Sequence, residues 1–417
     1  MPQGPPRVVV SDPESIKRVF ALRTDSYRSD ELPLPLNVGE RSIIFQDGER
    51  HRRQRTLMMP AFQAKRVASY SRAMLEVTES TLAGWPQAVP FQLVPQMYSI
   101  ALSVLLRCVF GVQGAEQREL RGLVLEWVSG TLSPRIFITG MLLGATWLRG
   151  VLDKGVTRVR NGHGRPLLFA RQAKAKAALF RALERKIDRC RVEPEPGDHV
   201  LGLLVGANYD DGSPMEDADI LDQLITLLVG GHETTANAMA WVLANVLRRP
   251  LVLARIRAEI EEHFANNEID ATRAGELTYL GACIRESMRL TPISPGPMRY
   301  LVEDLELPGV RVPAGVAVWG SMYLSQRRPE AWSEPLEFRP ERFIEASTRP
   351  SSQYYPFGGG ARRCLGAVFA EHEMRIVLAA ILRRYELRPI STTPPRGIFT
   401  GLAIGPEGGL PVRARPL

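Results

Sequence analysis

Cysteine is scarce and scattered in this chain. The four residues, Cys108, Cys190, Cys283 and Cys364, form no Cys-x-x-Cys pair and no zinc-ligand spacing. That excludes a disulfide framework and a zinc module and fits a reducing compartment, so the cytoplasm is the expected location. Long apolar runs are also lacking: nothing approaches the roughly 18 consecutive apolar residues of a membrane span. The apolar stretch from Ile136 to Leu148 is short and interrupted by glycine, so it reads as core or as the cap of an apolar pocket. Lysine is nearly missing, with six lysines among the 53 basic residues. A net charge of +8 could draw nucleic acid or anionic lipid. The basic residues are spread along the chain, however, and no zinc-finger, helix-turn-helix or RNA-binding signature accompanies them. The arginine skew reads as GC-rich bacterial coding, and nucleic acid is not an expected partner. The start, Met1 to Pro6, has neither the basic nor the apolar region of a signal peptide.

What is present is the composition of a globular protein, 45% hydrophobic and 24% charged over 417 residues. Apolar residues recur at helical spacing, as in Leu102, Leu105, Leu106 and Val109, and again in Leu221, Leu224, Ile225, Leu228 and Val229. Strand-like alternation is confined to Val302–Val318, to the end from Tyr385 onward and to Val8–Val10. After Val10, the run Ser11-Asp12-Pro13-Glu14 is a helix start. The expected fold class is mostly α with small β-sheets. Segments 191–198 and 208–214 read as surface loops within a single domain spanning 1–417.

Near the C-terminus, Phe357-Gly358-Gly359-Gly360-Ala361-Arg362-Arg363-Cys364-Leu365-Gly366 sets one cysteine in a glycine-rich, doubly basic loop before an apolar helix. A thiolate needs backbone N–H groups and nearby positive charge, and glycines let the backbone approach the sulfur. Such a loop suits a cysteine bound to haem iron. No Gly-Lys-Ser/Thr follows for a P-loop, and Arg363 fills the last glycine slot of a dinucleotide fingerprint. The ten residues resemble the haem loop of the cytochrome P450 family, Phe-Gly-x-Gly-x-Arg-x-Cys-x-Gly, at every fixed position. The resemblance implies Cys364 as iron ligand, Phe357, Gly358 and Gly366 as its loop, and Arg362 as a haem propionate partner.

A second signal is Gly230-Gly231-His232-Glu233-Thr234-Thr235, inside a helix expected over 217–249. Glycines in mid-helix cost about 1 kcal/mol each relative to alanine, so something bulky is expected against that face. A His-Glu-x-x-His metalloprotease site fails because position 236 is Ala236. The hexad resembles the family's distal helix, in which an acid followed by threonine delivers protons during dioxygen activation. That maps onto Glu233 and Thr234. Glu286-Ser287-Met288-Arg289, with Arg342 downstream, resembles the family's buried Glu-Arg-Arg network. His51 and Arg55, four apart, resemble the bacterial His-x-x-x-Arg propionate pair, and Arg299 resembles the propionate-binding arginine on the strand after the Glu-x-x-Arg helix.

By this resemblance the chain is a bacterial-type haem-thiolate monooxygenase with a prism-like α-rich body and haem b between the distal helix and the cysteine-loop helix. It lacks the family's first N-terminal strand and helix. Dioxygen is the co-substrate, and NAD(P)H supplies electrons indirectly through a ferredoxin or flavodoxin and its reductase, docked on basic residues near Arg362, Arg363 and Arg375. The expected substrate is lipophilic, a fatty acid, terpenoid or polyketide-like metabolite of secondary metabolism. It would be met by Leu228, Val229, Gly230, Ile293, Ser294, Ile398, Phe399 and Thr400. The expected state is a monomer with no membrane span. A peroxide-using or isomerising haem-thiolate enzyme, and a non-catalytic haem sensor, are the alternatives. Segment 128–170 resembles no one subgroup.

Overall fold

A computed structural model of the chain describes residues 6–29, 38–131, 134–162, 169–192, 199–264, 269–345, 350 and 352–417. The chain clusters into two compact units. One comprises Met1–Arg23, Phe62–Val104 and Gly231–Leu417, and the other Thr24–Ala61 and Leu105–Gly230.

In the first unit, strand Arg7–Val10 pairs parallel with Ala317–Gly320, which pairs antiparallel with Met298–Leu301. The helix Pro13–Ala21 starts where the cap signal lies: the Asp12 carboxylate accepts from Ser15 N at 2.8 Å, and Pro13 fills a first-turn position whose N–H has no helical partner. Its Ile16 and Val19 pack with Leu301, Val318 and Tyr355 in one buried cluster. Full burial of each such aliphatic side chain stabilises by about 1.5–3 kcal/mol. The segment expected to alternate after Val302 forms the hairpin Leu305–Leu307 and Val310–Val312. Gly309 turns it with a φ of 74° that disfavours any residue with a Cβ. The C-terminal strands Tyr385–Pro389 and Pro411–Pro416 pair antiparallel, with Phe91–Gln92 on the other side of the latter. A second hairpin joins Gly397–Phe399 to Ile404–Pro406.

The second unit is helical. Helices Pro134–Leu143 and Ala145–Arg160 meet at Gly144, whose φ is 91°. Here the apolar stretch divides: Ile136 and Leu148 are buried, whereas Ile138, Leu142, Leu143 and Trp147 are exposed. Lys176, on helix Ala170–Val192, is fully buried and donates to Asp153 Oδ1 at 3.0 Å, with its ammonium over the Phe180 ring. Asn208–Pro214 is the expected surface turn, closed by Tyr209 N donating to Ser213 O at 2.8 Å. The other expected loop, over 193–198, lies outside the described residues, as do 1–5 at the start and 132–133 and 163–168 within the segment that resembles no subgroup.

Among the described residues one helix, Leu93–Phe110, is long and apolar enough to cross a bilayer, and 72% of it is buried inside the protein. The long helix runs Asp217–Val246, starting where the spacing predicts and ending three residues short of 249.

Candidate active site

The cysteine loop is anchored from below before it reaches the sulfur. Tyr355, fully buried, donates through its hydroxyl to Ser321 O at 3.1 Å, with Ser325 Oγ at 2.6 Å, and its N–H donates to Gln326 Oε1 at 3.2 Å. Gln326 in turn donates to the carbonyls of Met288 and Arg289 at 3.1 and 3.2 Å. The loop then turns through Gly358 and Gly360, with φ of 68° and 64°. Gly358 N donates to Tyr355 O, and Cys364 N donates back to Phe357 O at 2.9 Å. The glycines do not all serve the sulfur. A Cβ on Gly359 would lie 2.5 Å from the Phe20 ring and one on Gly360 2.1 Å from Phe20 O, whereas nothing lies within 4 Å of one on Gly358 or Gly366. Two glycines therefore admit the end of the first helix, and two leave open space around the cysteine. Cys364 is exposed, while Cys108, Cys190 and Cys283 are buried; burial pushes the Cys283 thiol well above its ordinary range.

Behind this loop, Glu286, Arg289 and Arg342 are buried together. Glu286 accepts from Arg289 Nε at 2.7 Å and Nη2 at 2.8 Å, from Arg342 Nε at 3.1 Å and from Arg339 N at 2.8 Å. Two guanidiniums against one carboxylate leave a positive charge in excess. Backbone carbonyls of one segment absorb it: Arg289 donates to Gln326 O, Pro335 O and Glu337 O, and Arg342 to Ser333 O and Glu334 O. Both arginines also lie against the Trp332 ring. The network thus shapes segment 326–337, and Gln326 ties that segment to Tyr355.

On the long helix most positions are buried, but Gly230 is exposed and Thr234, one turn on, is half-buried. A Cβ at Gly230 would meet nothing within 4 Å. This strip is open on an otherwise packed helix, at the place where the mid-helix glycines lead one to expect a bulky neighbour. Leu228 and Val229 are buried beside it, and Glu233 is 3% exposed. The Glu233 Oε1 accepts from Leu402 N at 3.2 Å and from Thr400 Oγ1 at 3.3 Å. Burial raises its pKa, against these donors. The second hairpin also meets Ile293, whose carbonyl accepts from Ile404 N at 2.8 Å. Ser294 is half-buried beside it, Thr400 is half-buried in the turn, and Ile398 and Phe399 are exposed.

Arg299 is buried on strand Met298–Leu301, and Arg362 is half-buried in the turn Gly360–Arg362. In the second unit, His51 and Arg55 share a face of helix Gly48–Met58, the former buried and the latter half-buried. Arg375 corrects an expectation. It does not join Arg363 on an exposed basic face: its side chain is 19% exposed, lies near Glu371 and packs its guanidinium against Gly281.

One group on the helix that follows the cysteine loop carries no sequence signal. His372, on helix Ala367–Arg384, approaches Ser71 Oγ at 2.6 Å, and the single Ser71 hydroxyl proton goes to Ala68 O at 2.7 Å. With the hydroxyl proton so placed, the matching neutral tautomer carries its hydrogen on His372 Nε2. Burial and then Arg375 hold its pKa down at about 4. An unfolded imidazole titrates near 6.5, so the unfolded chain takes up a proton that the folded one refuses, and stability present above pH 6.5 is lost as pH falls to 4, by about 3 kcal/mol. Denaturant midpoints compared at pH 7 and pH 4.5 will show a smaller acid loss for His372→Gln than for the parent.

A sequence model of the family described as Cytochrome P450 matches residues 2–410. The chain belongs to the cytochrome P450 family. Cytochrome P450 135B1 of Mycobacterium tuberculosis is 34% identical over 422 residues, covering 98% of this chain and 82% of the relative. Cytochrome P450 138 of Mycobacterium bovis is 31% identical over 404 residues, covering 96% and 85%. Among solved structures, a retinoic acid-bound cyanobacterial CYP120A1 superposes with a TM-score of 0.81 at 22% identity, over 99% of this chain and 89% of that one. The cytochrome P450DA heme domain gives 0.82 at 20% identity, over 99% and 88%. The fold is that of a P450, α-rich with small sheets, and one family model spans both compact units. The protein is a P450 monooxygenase, an enzyme whose family uses haem, dioxygen and electrons from a reductase. The residues present fit haem: this P450 offers an exposed thiol in a loop with open space at Gly358 and Gly366, and an open strip at Gly230 and Thr234.

Proposed function

We propose that this P450 hydroxylates or epoxidises a lipophilic small molecule, with Cys364 as the iron ligand of haem b. The observation that carries the reading is the exposed thiol of Cys364 in a loop whose cysteine N–H is already bonded to Phe357 O. That internal bond fixes the backbone, and Arg362 and Arg363 supply positive charge that favours the thiolate. Bound haem supplies the dioxygen chemistry. By the family resemblance, Arg362, Arg299, His51 and Arg55 would hold its propionates as charge-assisted donors. Glu233 and Thr234 hold and pass protons: the hydroxyl orients them at the open face, and the buried carboxyl replaces them.

Substrate contacts come from Gly230, Ile293, Ser294 and Thr400, with Leu228 and Val229 behind the helix face and Ile398 and Phe399 at the hairpin tip. A fatty acid, terpenoid or polyketide-like metabolite suits such a lining. Retinoic acid, named with the cyanobacterial neighbour, is a reasonable first probe. Electrons come from a ferredoxin or flavodoxin meeting Arg363 and Arg362. Operation as one P450 domain, a monomer in the bacterial cytoplasm, completes the reading.

Titrating a lipophilic library, retinoic acid included, against the ferric protein tests it. A ligand that expels water from the metal will shift the spin state, and a library in which no compound does so would overturn the lipophilic assignment. Thr234→Ala will lower product per electron consumed by about 100-fold, the lower end of the 10²–10⁴-fold that positioned proton transfer contributes. The electrons will then appear as hydrogen peroxide.

A further inference from the structure

Glu233 faces a set of polar side chains, of which Tyr98 and Asn237 have no role so far. Asn237, one turn further along the same helix and fully buried, donates through Nδ2 to Tyr98 Oη at 2.8 Å, to Thr400 Oγ1 at 3.2 Å and to Glu233 O at 3.0 Å. An amide nitrogen only donates, so Tyr98 must accept from it, and the phenol keeps its own proton for Thr400 Oγ1 at 3.4 Å. Thr400 in turn has one proton and two acceptors at the same distance, Glu233 Oε1 and Ala403 O, each at 3.3 Å. With the threonine proton on Glu233 Oε1, the two hydroxyls are aligned in order toward the carboxylate. The threonine hydroxyl can turn to Ala403 O when Glu233 holds a proton and back when it does not.

The hairpin carrying Thr400 is pressed onto the helix. Trp241 Nε1 donates to Ile404 O at 2.9 Å, and a Cβ on Gly405 would fall 2.1 Å from Asn237 Oδ1. Tyr98, half-buried on helix Leu93–Phe110, is the hydroxyl at the end of the set away from Glu233.

We propose that Tyr98, Asn237 and Thr400 are positioning residues for Glu233: Asn237 orients the set, and the two hydroxyls form the chain along which the carboxyl group exchanges its proton with solvent. A proton arriving at Tyr98 Oη moves the phenol proton to Thr400 Oγ1 and the threonine proton to Glu233 Oε1, with no net change in either hydroxyl. This rests on the acid role given to Glu233 above. It takes Thr400 from the substrate lining into the support of the acid.

The test uses the ferric holoprotein. The carboxyl C=O stretch that disappears in Glu233→Gln is followed by infrared spectroscopy as a function of pH. A donor to a carboxylate favours the ionised form, so Thr400→Val will move the midpoint of that band upward, and Thr400→Ser will return it to the parent value. Tyr98→Phe, which keeps the ring, will raise the solvent isotope effect on product formation and lower coupling by about tenfold, less than the loss of a general acid outright. The ferrous carbon monoxide spectrum, which reads Cys364, serves as the folding control. An unmoved midpoint in Thr400→Val together with an unchanged isotope effect in Tyr98→Phe would overturn the inference. Full coupling in Glu233→Gln would instead overturn the acid role, whichever way the midpoint moves.

Discussion

Cys364→Ala will remove the thiolate signature from the ferrous carbon monoxide spectrum and bring monooxygenase turnover to background, without unfolding the chain. Both halves of this outcome follow from the placement of the residue. The side chain is exposed, and substitutions at exposed positions usually change stability by no more than about 0.5 kcal/mol. The loop conformation is held by bonds that an alanine keeps: Gly358 N to Tyr355 O, Cys364 N to Phe357 O and the Tyr355 hydroxyl to Ser321 O. On the assignment proposed above, what the alanine removes is the thiolate that would donate electron density to the iron of a bound haem. Far-ultraviolet circular dichroism and denaturant midpoint check the fold, and the carbon monoxide spectrum checks the ligand. A spectrum unchanged from the parent would refute the assignment.

The largest loss of stability is expected at Glu286. Glu286→Gln leaves Arg289 and Arg342, both buried, facing each other with no carboxylate between them. Removing one partner of a buried ion pair costs about 3–5 kcal/mol, because the remaining charge has no counterion and little water. The damage will spread along an identifiable path. The arginines hold the carbonyls of residues 326, 333, 334, 335 and 337, and Gln326 holds the backbone of Tyr355 at the base of the cysteine loop. The purified variant will therefore have lost haem, read as the ratio of haem to protein absorbance, together with a lowered denaturant midpoint. A slower enzyme with full haem content and an unchanged midpoint would contradict this account. Arg342→Met, which removes the excess positive charge and leaves Glu286 paired with Arg289, will cost less.

Features carried by neighbours in sequence are legible. The Asp12-Pro13 helix start, the long helix beginning at Asp217, and the Gly230 face flanked by buried positions all come from spacings within one or two turns. The turns of the cysteine loop are legible for the same reason, since its ten residues carry the glycines and the cysteine together. What the sequence hid are partners brought from far along the chain. Phe20 dictates Gly359 and Gly360 across more than 330 residues, yet nothing near Phe20 marks it. Gln326 links three elements through an ordinary amide. Thr400 reads as part of an apolar turn until Asn237 and Glu233 are seen beside it. Arg375 errs in the opposite direction: its charge invites a surface role, and only the absent side chain of Gly281 explains how a guanidinium is accommodated inside.

The first strand has to wait on the ribosome. Arg7–Val10 finds its only β partner among the described residues of the first unit in Ala317–Gly320, about 310 residues later. At translation rates of roughly 5–20 residues per second, that is a delay of about 15–60 s. Throughout it, Val8, Val9 and Val10 are an unpaired apolar edge in a growing polypeptide, and Phe20 has no loop to meet. Recombinant yield should therefore respond more to slower, cooler synthesis and to chaperone supply than to substitutions around the haem, because the hazard lies in the nascent chain before any cofactor can bind.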